Sequence, residues 1–548
     1  MLVHNLLYGL DPRLAWPGSM AVILGAFVTI LLRVVAPRPG LVWTRRLLRL
    51  GIAAILALAA IQCAVAATYL VYPSYLDVVE PATAAVSWLS WHGSAVYPPI
   101  ASGNFYAPVY GPILYQGTGL FLVALWPSIA ISKIPGLVAF VAAQVLSYVL
   151  LRRSGGRPLE ALTIAAAQCL VQAGFDNQAY TFGVRADPWL FLFAAASTLV
   201  ATSTPSVAKA LILGCLAGTA VNLKADAVLY IAPVTVFFLC RTASFAERSK
   251  LAALGLGTAM LAFAAPFVAG NVSILDYLTV LEDSSQRTLS RWLAEQGIVM
   301  IALELGPPLL IYLVCRPALP RGFVPFAIAT VACMSVVIVP ASADGAGPHH
   351  FLPFLPSLSW AFLVLFRASL PNMDGKVGDR RDSAVLGLTI SLVVGYGPIV
   401  VQSWESVLRN YANFPVARMA ADEIVGVLDR FPNENIGISP GLYSNYDVSG
   451  MRVIPVFLGR ALLVDPVTWT GYQYNNESQE LFRKMLSECR AGIWLLAHGS
   501  QFGMDALVRQ TIFSQAVVDE FRRDYALLSA GHVYDVWRCN GASVRPTP

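Results

Sequence analysis

Two carboxylates, Asp77 and Glu80, stand three residues apart in YLDVVEP, directly after an apolar run long enough to cross a bilayer. In a helix that spacing puts both on one face. Trp88, Trp91 and His92 follow, and then a stretch rich in Tyr, Pro and Gly, ending in YAPVYGPILY, that cannot form a long helix. No Lys or Arg occurs from Tyr72 to Tyr115. A carboxylate in a partly dehydrated position can have its pKa tuned toward neutrality and then take a proton from a hydroxyl. The competing reading is a hydrated loop acid, or a first-turn helix charge beside Pro81.

Other polar residues gather in three short stretches. VRADP offers Arg185 and Asp187, which could orient a carboxylate or hold a divalent cation through oxygen, or simply form a salt bridge at a helix start. Asp176 lies upstream in the same loop. AVNLKADAVLY carries Asn222, Lys224 and Asp226; a fixed ammonium at membrane depth suits a phosphate head group, and Lys133 in SKIPG is a second such cation. In ADGAGPHHFLPFLP, His349 and His350 are adjacent and cannot share a helix face, which makes them a poor metal pair without other ligands. Donation to a phosphate or sugar fits them better, against simple interfacial anchoring. ILDYLTVLEDSSQRTLSRWLAEQG, with Arg287, Arg291 and Trp292, is amphipathic and reads either as a lid over a bound lipid or as a passive interfacial linker.

The elements that must position these groups are membrane helices. Of 548 residues, 57% are hydrophobic and 13% charged, with mean hydropathy +0.63; soluble domains carry about 25% charged residues. Repeated apolar runs near 20 residues make the chain a polytopic α-helical membrane protein, so the net charge of +5 needs no nucleic acid to explain it. The N-terminus lacks a basic start and a small-residue cleavage site before its first apolar run, so no cleaved signal peptide is expected.

Expected spans lie at 17–36, 50–70, 135–151, 159–175, 188–203, 207–222, 226–240, 250–270, 297–315, 322–340, 351–366 and 384–402, about twelve in all. The apolar segment 113–126 is too short between Pro112 and Pro127 and is expected to be interfacial or re-entrant. With it left out, Arg38 to Arg49, Arg152 to Arg157, Arg241 to Lys250, Arg316 with Arg321, and Arg367 to Arg381 all fall on the cytoplasmic side. The large loop 71–134 then faces outward. So do the other candidate residues and a long tail.

Residues 1–402 accordingly form a membrane domain, and 403–548 an outward unit. The tail alternates helix-like patterns (PVARMAADEIVGVLDRF) with short strand-like runs (MRVIPVFLG, AGIWLLAH), the signature of a small α/β domain. Six of the 8 cysteines sit in or beside apolar runs as small hydrophobes. Cys489 and Cys539 lie in the tail, where an oxidising compartment would favour a disulfide between them. No spacing indicates a structural zinc site.

In order and sidedness, YLDVVEP, YAPVYGPILY, the Lys-Ile-Pro segment and VRADP resemble the GT-C superfamily of polyprenyl-phosphate-dependent membrane glycosyltransferases, nearest in kind to the bacterial aminoarabinose transferase and protein O-mannosyltransferase group. The resemblance covers roughly residues 50–370. It implies an active site on the outer, periplasmic face of a bacterial cytoplasmic membrane. The implied reaction moves a sugar from a polyprenyl-phosphate donor to a hydroxyl of an envelope glycan, lipid or protein, with inversion. Asp77 or Glu80 would be the base; the adjacent Asp-Glu pair frequent in the family is here Asp-x-x-Glu, which leaves both open. Lys133, Arg185, Lys224, His349, His350 and Tyr110 would meet the donor's phosphate and sugar. Asp187 would be a second carboxylate, associated with a divalent metal such as Mg or Mn if the reaction uses one. The rival readings are a lipid-linked-sugar flippase, which would favour charged residues in mid-span and broken helices, and a non-catalytic envelope scaffold.

Overall fold

A computed structural model describes residues 42–541, except 100–101, 103, 107–109, 174–178, 269, 286, 344, 370–384, 391, 398–399, 402–403, 405–412, 444–445, 466–475 and 505–510. The expected span at 17–36 and Asp176 lie outside the described residues.

The first helices are α1 (Val42–Val71), α2 (Val79–Trp91), α3 (Pro112–Leu125), α4 (Ile129–Arg153) and α5 (Pro158–Ala173). After them come α6 (Asp187–Ala201), α7 (Val207–Leu223), α8 (Val228–Cys240), α9 (Phe245–Ala264) and α10 (Ile274–Ser285). Then follow α11 (Arg291–Cys315), α12 (Phe323–Ala341), α13 (Leu355–Ala368) and, beyond the long gap, α14 (Phe414–Arg430).

Among the described residues six stretches are long and apolar enough to cross a membrane: Arg46–Val71, Ile129–Arg153, Phe245–Val268, Arg291–Cys315, Phe323–Ala341 and Pro348–Ala368. Other expected spans fall on shorter apolar helices, among them α6, α7 and Ala225–Cys240. The expected short segment 113–126 is α3, whose 14 residues fall short of a hydrocarbon core about 30 Å thick.

Lipid gives helices no hydrophobic reason to associate, so close backbone contact must hold them. The pair α7 and α9 shows how. A Cβ on Gly214 would stand 2.1 Å from the carbonyl oxygen of Gly255, and one on Gly218 would stand 2.0 Å from that of Ala259. Two glycines four residues apart therefore let the backbones touch.

Residues after α14 build a four-stranded sheet. Its strands are β1 (Ile436–Ile438), β2 (Ile493–Ala497), β3 (Tyr525–Ala530) and β4 (Tyr534–Cys539), in spatial order β1-β2-β4-β3. β1 pairs parallel to β2, while the other pairings are antiparallel. All five residues of β2 are buried because helices cover both faces. Trp494 and Leu496 pack into a cluster with Phe482 of α15 (Asn476–Ser487) and Phe521 of α16 (Gln515–Asp524). Ile493, Leu495 and Ala497 pack into another with Ile424 and Leu428 of α14. Cys489 and Cys539 form a disulfide with Cα atoms 5.8 Å apart, closing a 50-residue loop onto β4.

This unit is sewn to the membrane half. Tyr72, at the end of α1, belongs to the same cluster as α14. Phe105, in the loop before α3, bridges to Val464: its N–H donates to Leu463 O at 2.7 Å, and its carbonyl accepts from Asp465 N at 2.9 Å.

Candidate active site

The loop carrying Asp77 and Glu80 is held from below by Lys133. The last carbonyls of a helix lack partners within it, and at the end of α1 the Lys133 ammonium serves that need, donating to Tyr69 O at 2.9 Å and Tyr72 O at 2.6 Å. It also sits 4.2 Å from the centre of the Tyr69 ring, and it is fully buried. Lys133 thus closes a helix end.

Glu80 is equally buried, and four donors converge on it. Oε1 accepts from Tyr69 Oη and from Val184 N at 2.9 Å; Oε2 accepts from Leu76 N at 2.7 Å and Asp77 N at 2.9 Å. Burial pushes its carboxyl above the ordinary range, against the opposing pull of those donors and of Lys133. Its geometry ties the start of α2 to the segment 183–185. Gly136 of α4 permits that approach, since a Cβ there would stand 2.1 Å from Gly183 O.

Asp77 faces elsewhere. Oδ1 accepts from Val79 N at 3.2 Å, and Oδ2 pairs with Arg185 Nη1. From there a row of opposite charges runs along the mouth of the bundle. Arg185 Nε meets Asp187 Oδ2 at 3.0 Å, and Asp187 Oδ1 meets Lys224 Nζ at 3.6 Å. Lys224 Nζ lies 3.2 Å from His350 Nε2, and His350 Nδ1 lies 2.9 Å from Asp226 Oδ2, which also accepts from Tyr230 Oη at 3.0 Å. His349 stacks on Tyr180 at 3.8 Å, and the Arg185 guanidinium lies 4.4 Å from the Tyr180 ring and 5.9 Å from the Tyr110 ring.

Local sequence accounts for the placement. Asp187-Pro188 begins α6, Lys224 ends α7, and His349 and His350 lie in a 3-10 turn, Pro348–Phe354, that feeds α13. Tyr110 is delivered by Gly111, whose N–H donates to Leu223 O at 3.0 Å and whose missing side chain makes room for Asn222. Asn222 in turn receives Ile113 N on its side-chain oxygen at 3.0 Å, satisfying a free donor at the start of α3.

The structure therefore joins Asp77, Tyr110, Arg185, Asp187, Lys224, His349 and His350, and sets Glu80 and Lys133 in a separate buried cluster beside Tyr69. Both oxygens of Asp187 meet cations. Among the described residues, no three His, Cys, Asp or Glu side chains gather with metal-ligand spacing. The arrangement suits a substrate that carries its own negative charge and can take Arg185 or Lys224 from the carboxylates.

Tyr180, Tyr230 and Arg452 are the participants not singled out from the sequence. Tyr180 precedes Arg185 by five residues in a loop already under suspicion, so its signal was available. Arg452 had none: Nη2 donates to Val78 O and to Asp465 Oδ1, the latter at 2.9 Å, while Nη1 donates to Ser449 O at 2.8 Å.

The fold has a solved counterpart. The crystal structure of ArnT from Cupriavidus metallidurans bound to undecaprenyl phosphate superposes with a TM-score of 0.54, covering 90% of this chain and 99% of that one at 12% identity. This chain has the ArnT fold. The apo form of ArnT from the same organism gives a TM-score of 0.51 at 12% identity, with 88% and 97% coverage. No protein-family model matches the sequence, and no curated protein does. ArnT is a GT-C aminoarabinose transferase, so the resemblance drawn from short motifs and the architecture agree. Because the superposition covers nearly all of ArnT, the likeness extends into the region that follows the membrane helices.

Proposed function

We propose that this chain is an integral-membrane glycosyltransferase that moves a sugar from a polyprenyl-phosphate donor to an acceptor hydroxyl, with inversion, on the outer face of a bacterial cytoplasmic membrane. The observation that carries the reading is the row Asp77–Arg185–Asp187–Lys224–His350 at the mouth of an ArnT fold. In it one carboxylate can act as base beside cations that can hold a phosphate. The 403–548 unit, with its disulfide, belongs on the same outer side.

The donor's phosphate takes Arg185 and Lys224 from their carboxylate partners. That exchange leaves Asp77 Oδ2 open to accept the proton of the acceptor hydroxyl. The hydroxyl oxygen attacks the anomeric carbon, the anomeric C–O bond to phosphate breaks, and polyprenyl phosphate leaves with its charge held by Arg185, Lys224 and His350. Glu80, with four donors on two oxygens, positions the loop, so Asp77 is the base. Tyr110 and the stacked Tyr180–His349 pair offer surfaces beside the reacting sugar.

One observation favours a lipid-linked-sugar flippase instead. Glu304, in mid-helix on α11, is buried and neither of its oxygens has a hydrogen-bond partner among the described residues; an ionisable group at that depth is a mark of transport paths. One pair of measurements decides. Transfer of sugar from polyprenyl phosphate by purified protein, lost in Asp77→Asn and kept in Glu304→Gln, upholds the transferase. Translocation of the lipid in proteoliposomes without transfer, lost in Glu304→Gln, replaces it with the flippase.

A further inference from the structure

The two adjacent histidines differ in their partners. His349 stacks on Tyr180 and is hydrogen-bonded to no carboxylate among the described residues. His350 Nδ1 donates to Asp226 Oδ2 at 2.9 Å, and Tyr230 Oη donates to the same oxygen at 3.0 Å. An ionised carboxylate only accepts, so Nδ1 carries the proton of that bond and Nε2 is the nitrogen left to act.

Lys224 Nζ lies 3.2 Å from Nε2 and 3.4 Å from Nδ1. An atom in line with one ring nitrogen's lone pair stands far from the other nitrogen. Near-equal distances therefore put the ammonium over the face of the imidazole, out of its plane. In that plane no described residue hydrogen-bonds to Nε2.

His350 and Asp77 stand at opposite ends of the charged row, with Arg185, Asp187 and Lys224 between them. Displacement with inversion needs just such a separation, the base on one face of the sugar and the acid on the other. The second ionisation of a phosphate monoester lies near about pH 6, and that of an ordinary imidazole near about 6.5. Partners so matched exchange a proton efficiently in a transition state.

The charged groups facing His350 are Lys224 from the end of α7, Asp226 from the turn after it, and Asp187 from the start of α6, with His349 beside it. Glu304 of α11 acts on Tyr230. α12, also packed on this turn, carries no charged residue, and Glu160, the one acid of α5, pairs with Arg367 at the other end of α13.

We infer that His350 is the proton donor to the departing polyprenyl phosphate and that Asp226 is its positioning residue. The inference rests on the transferase reading and deepens it. Once the donor's phosphate has drawn Lys224 off the ring face, like charges no longer oppose a second proton on the imidazole. As the anomeric C–O bond breaks, its electron pair goes to the phosphate oxygen, and the proton on Nε2 passes to the phosphate. Polyprenyl phosphate departs as a monoanion and leaves a neutral ring. The ring then takes a proton from water, and Asp77 returns the acceptor's proton to water, so the cycle consumes none.

The test uses full-length protein in nanodiscs, a polyprenyl-phosphate sugar donor and an alkyl glycoside as hydroxyl acceptor. The wild-type kcat should fall on the alkaline side of its pH profile. His350→Gln should be about 100-fold slower and lose that alkaline limb, while still binding undecaprenyl phosphate, which shows the site folded. Asp226→Asn should keep the limb and move it to lower pH, because the imidazolium loses its counter-charge. Rate plotted against deuterium fraction should bow for wild type, where Asp77 and His350 each move a proton, and run straight for His350→Gln, where one proton moves. A straight line for both proteins, or an alkaline limb that persists in His350→Gln, overturns the inference and leaves the transferase standing. If wild type moves no sugar from any polyprenyl-phosphate donor, both fall.

Discussion

Arg452 donates a hydrogen bond to the carbonyl of Val78, the residue directly after Asp77 in sequence, across 374 positions of chain. The same guanidinium nitrogen holds Asp465, and both side chains of the ion pair are almost fully buried. The C-terminal unit thus fixes the backbone at the proposed base. Breaking a buried pair from one side costs about 3–5 kcal/mol, because it strands the other charge. Arg452→Met should therefore lower the thermal unfolding midpoint markedly. Arg452→Met combined with Asp465→Leu should recover most of that midpoint yet leave kcat depressed, since Val78 stays unheld. Equal recovery of both quantities would assign Arg452 to stability alone.

Asp77 and Glu80 should separate by what they lose. Asp77→Asn should cut transfer by on the order of 10²- to 10⁴-fold, the usual contribution of a general base, with little change in unfolding. Glu80→Gln puts an amide nitrogen against N–H or O–H donors and should cost about 1.5–3 kcal/mol of stability, the worth of hydrogen bonds to a charged group. Paired kinetic and thermal measurements on the two variants check both statements.

The two lysines also part company. Lys224→Met should weaken binding of undecaprenyl phosphate about tenfold, near 1.4 kcal/mol, and flatten its dependence on salt. Lys133→Met should remove the bonds to Tyr69 O and Tyr72 O at the end of α1 and lower stability instead. Binding of the lipid measured in nanodiscs at two ionic strengths distinguishes them.

Gly136→Val should displace the segment that carries Val184 and Arg185, because the new side chain meets Gly183 O. An overpacking cost of about 1–3 kcal/mol, together with loss of transfer, is the expected outcome. Gly117, where a Cβ would meet nothing within 4 Å, serves as a control site for alanine.

Cys489→Ser should destabilise the sheet by about 2–4 kcal/mol, as removal of a disulfide commonly does. Because Arg452 of the same unit holds Val78, and Val464 pairs with Phe105 before α3, transfer should fall along with the sheet's unfolding midpoint. A thermal melt read by Trp494 and Trp537 fluorescence, run beside the transfer assay, checks that link.

Much of this arrangement was legible in the chain. Apolar length located the long helices, and the short segment between Pro112 and Pro127 showed itself by size. The pairing of Asp77 with Arg185 was not legible, because neither residue's neighbours encode a contact 108 positions away. Lys133 shows a further gap. A cation against the charge bias reads as available to a phosphate; that it donates to Tyr69 O and Tyr72 O at a helix end is visible only when α1 and α4 are packed. Arg452 was hidden for the same reason as Asp77's partner, with distance in sequence erasing the signal.

That distance has a consequence for synthesis. Asp77 is made early and Arg452 late, so the ribosome has inserted most of the bundle before the residue that fixes Val78 exists. Contacts of such separation close slowly, and here the closing partner must first fold around its disulfide. The nascent chain therefore has Arg185 and Lys224 made while the backbone beside Asp77 is still unset, and it matures only when the last quarter of the chain has docked.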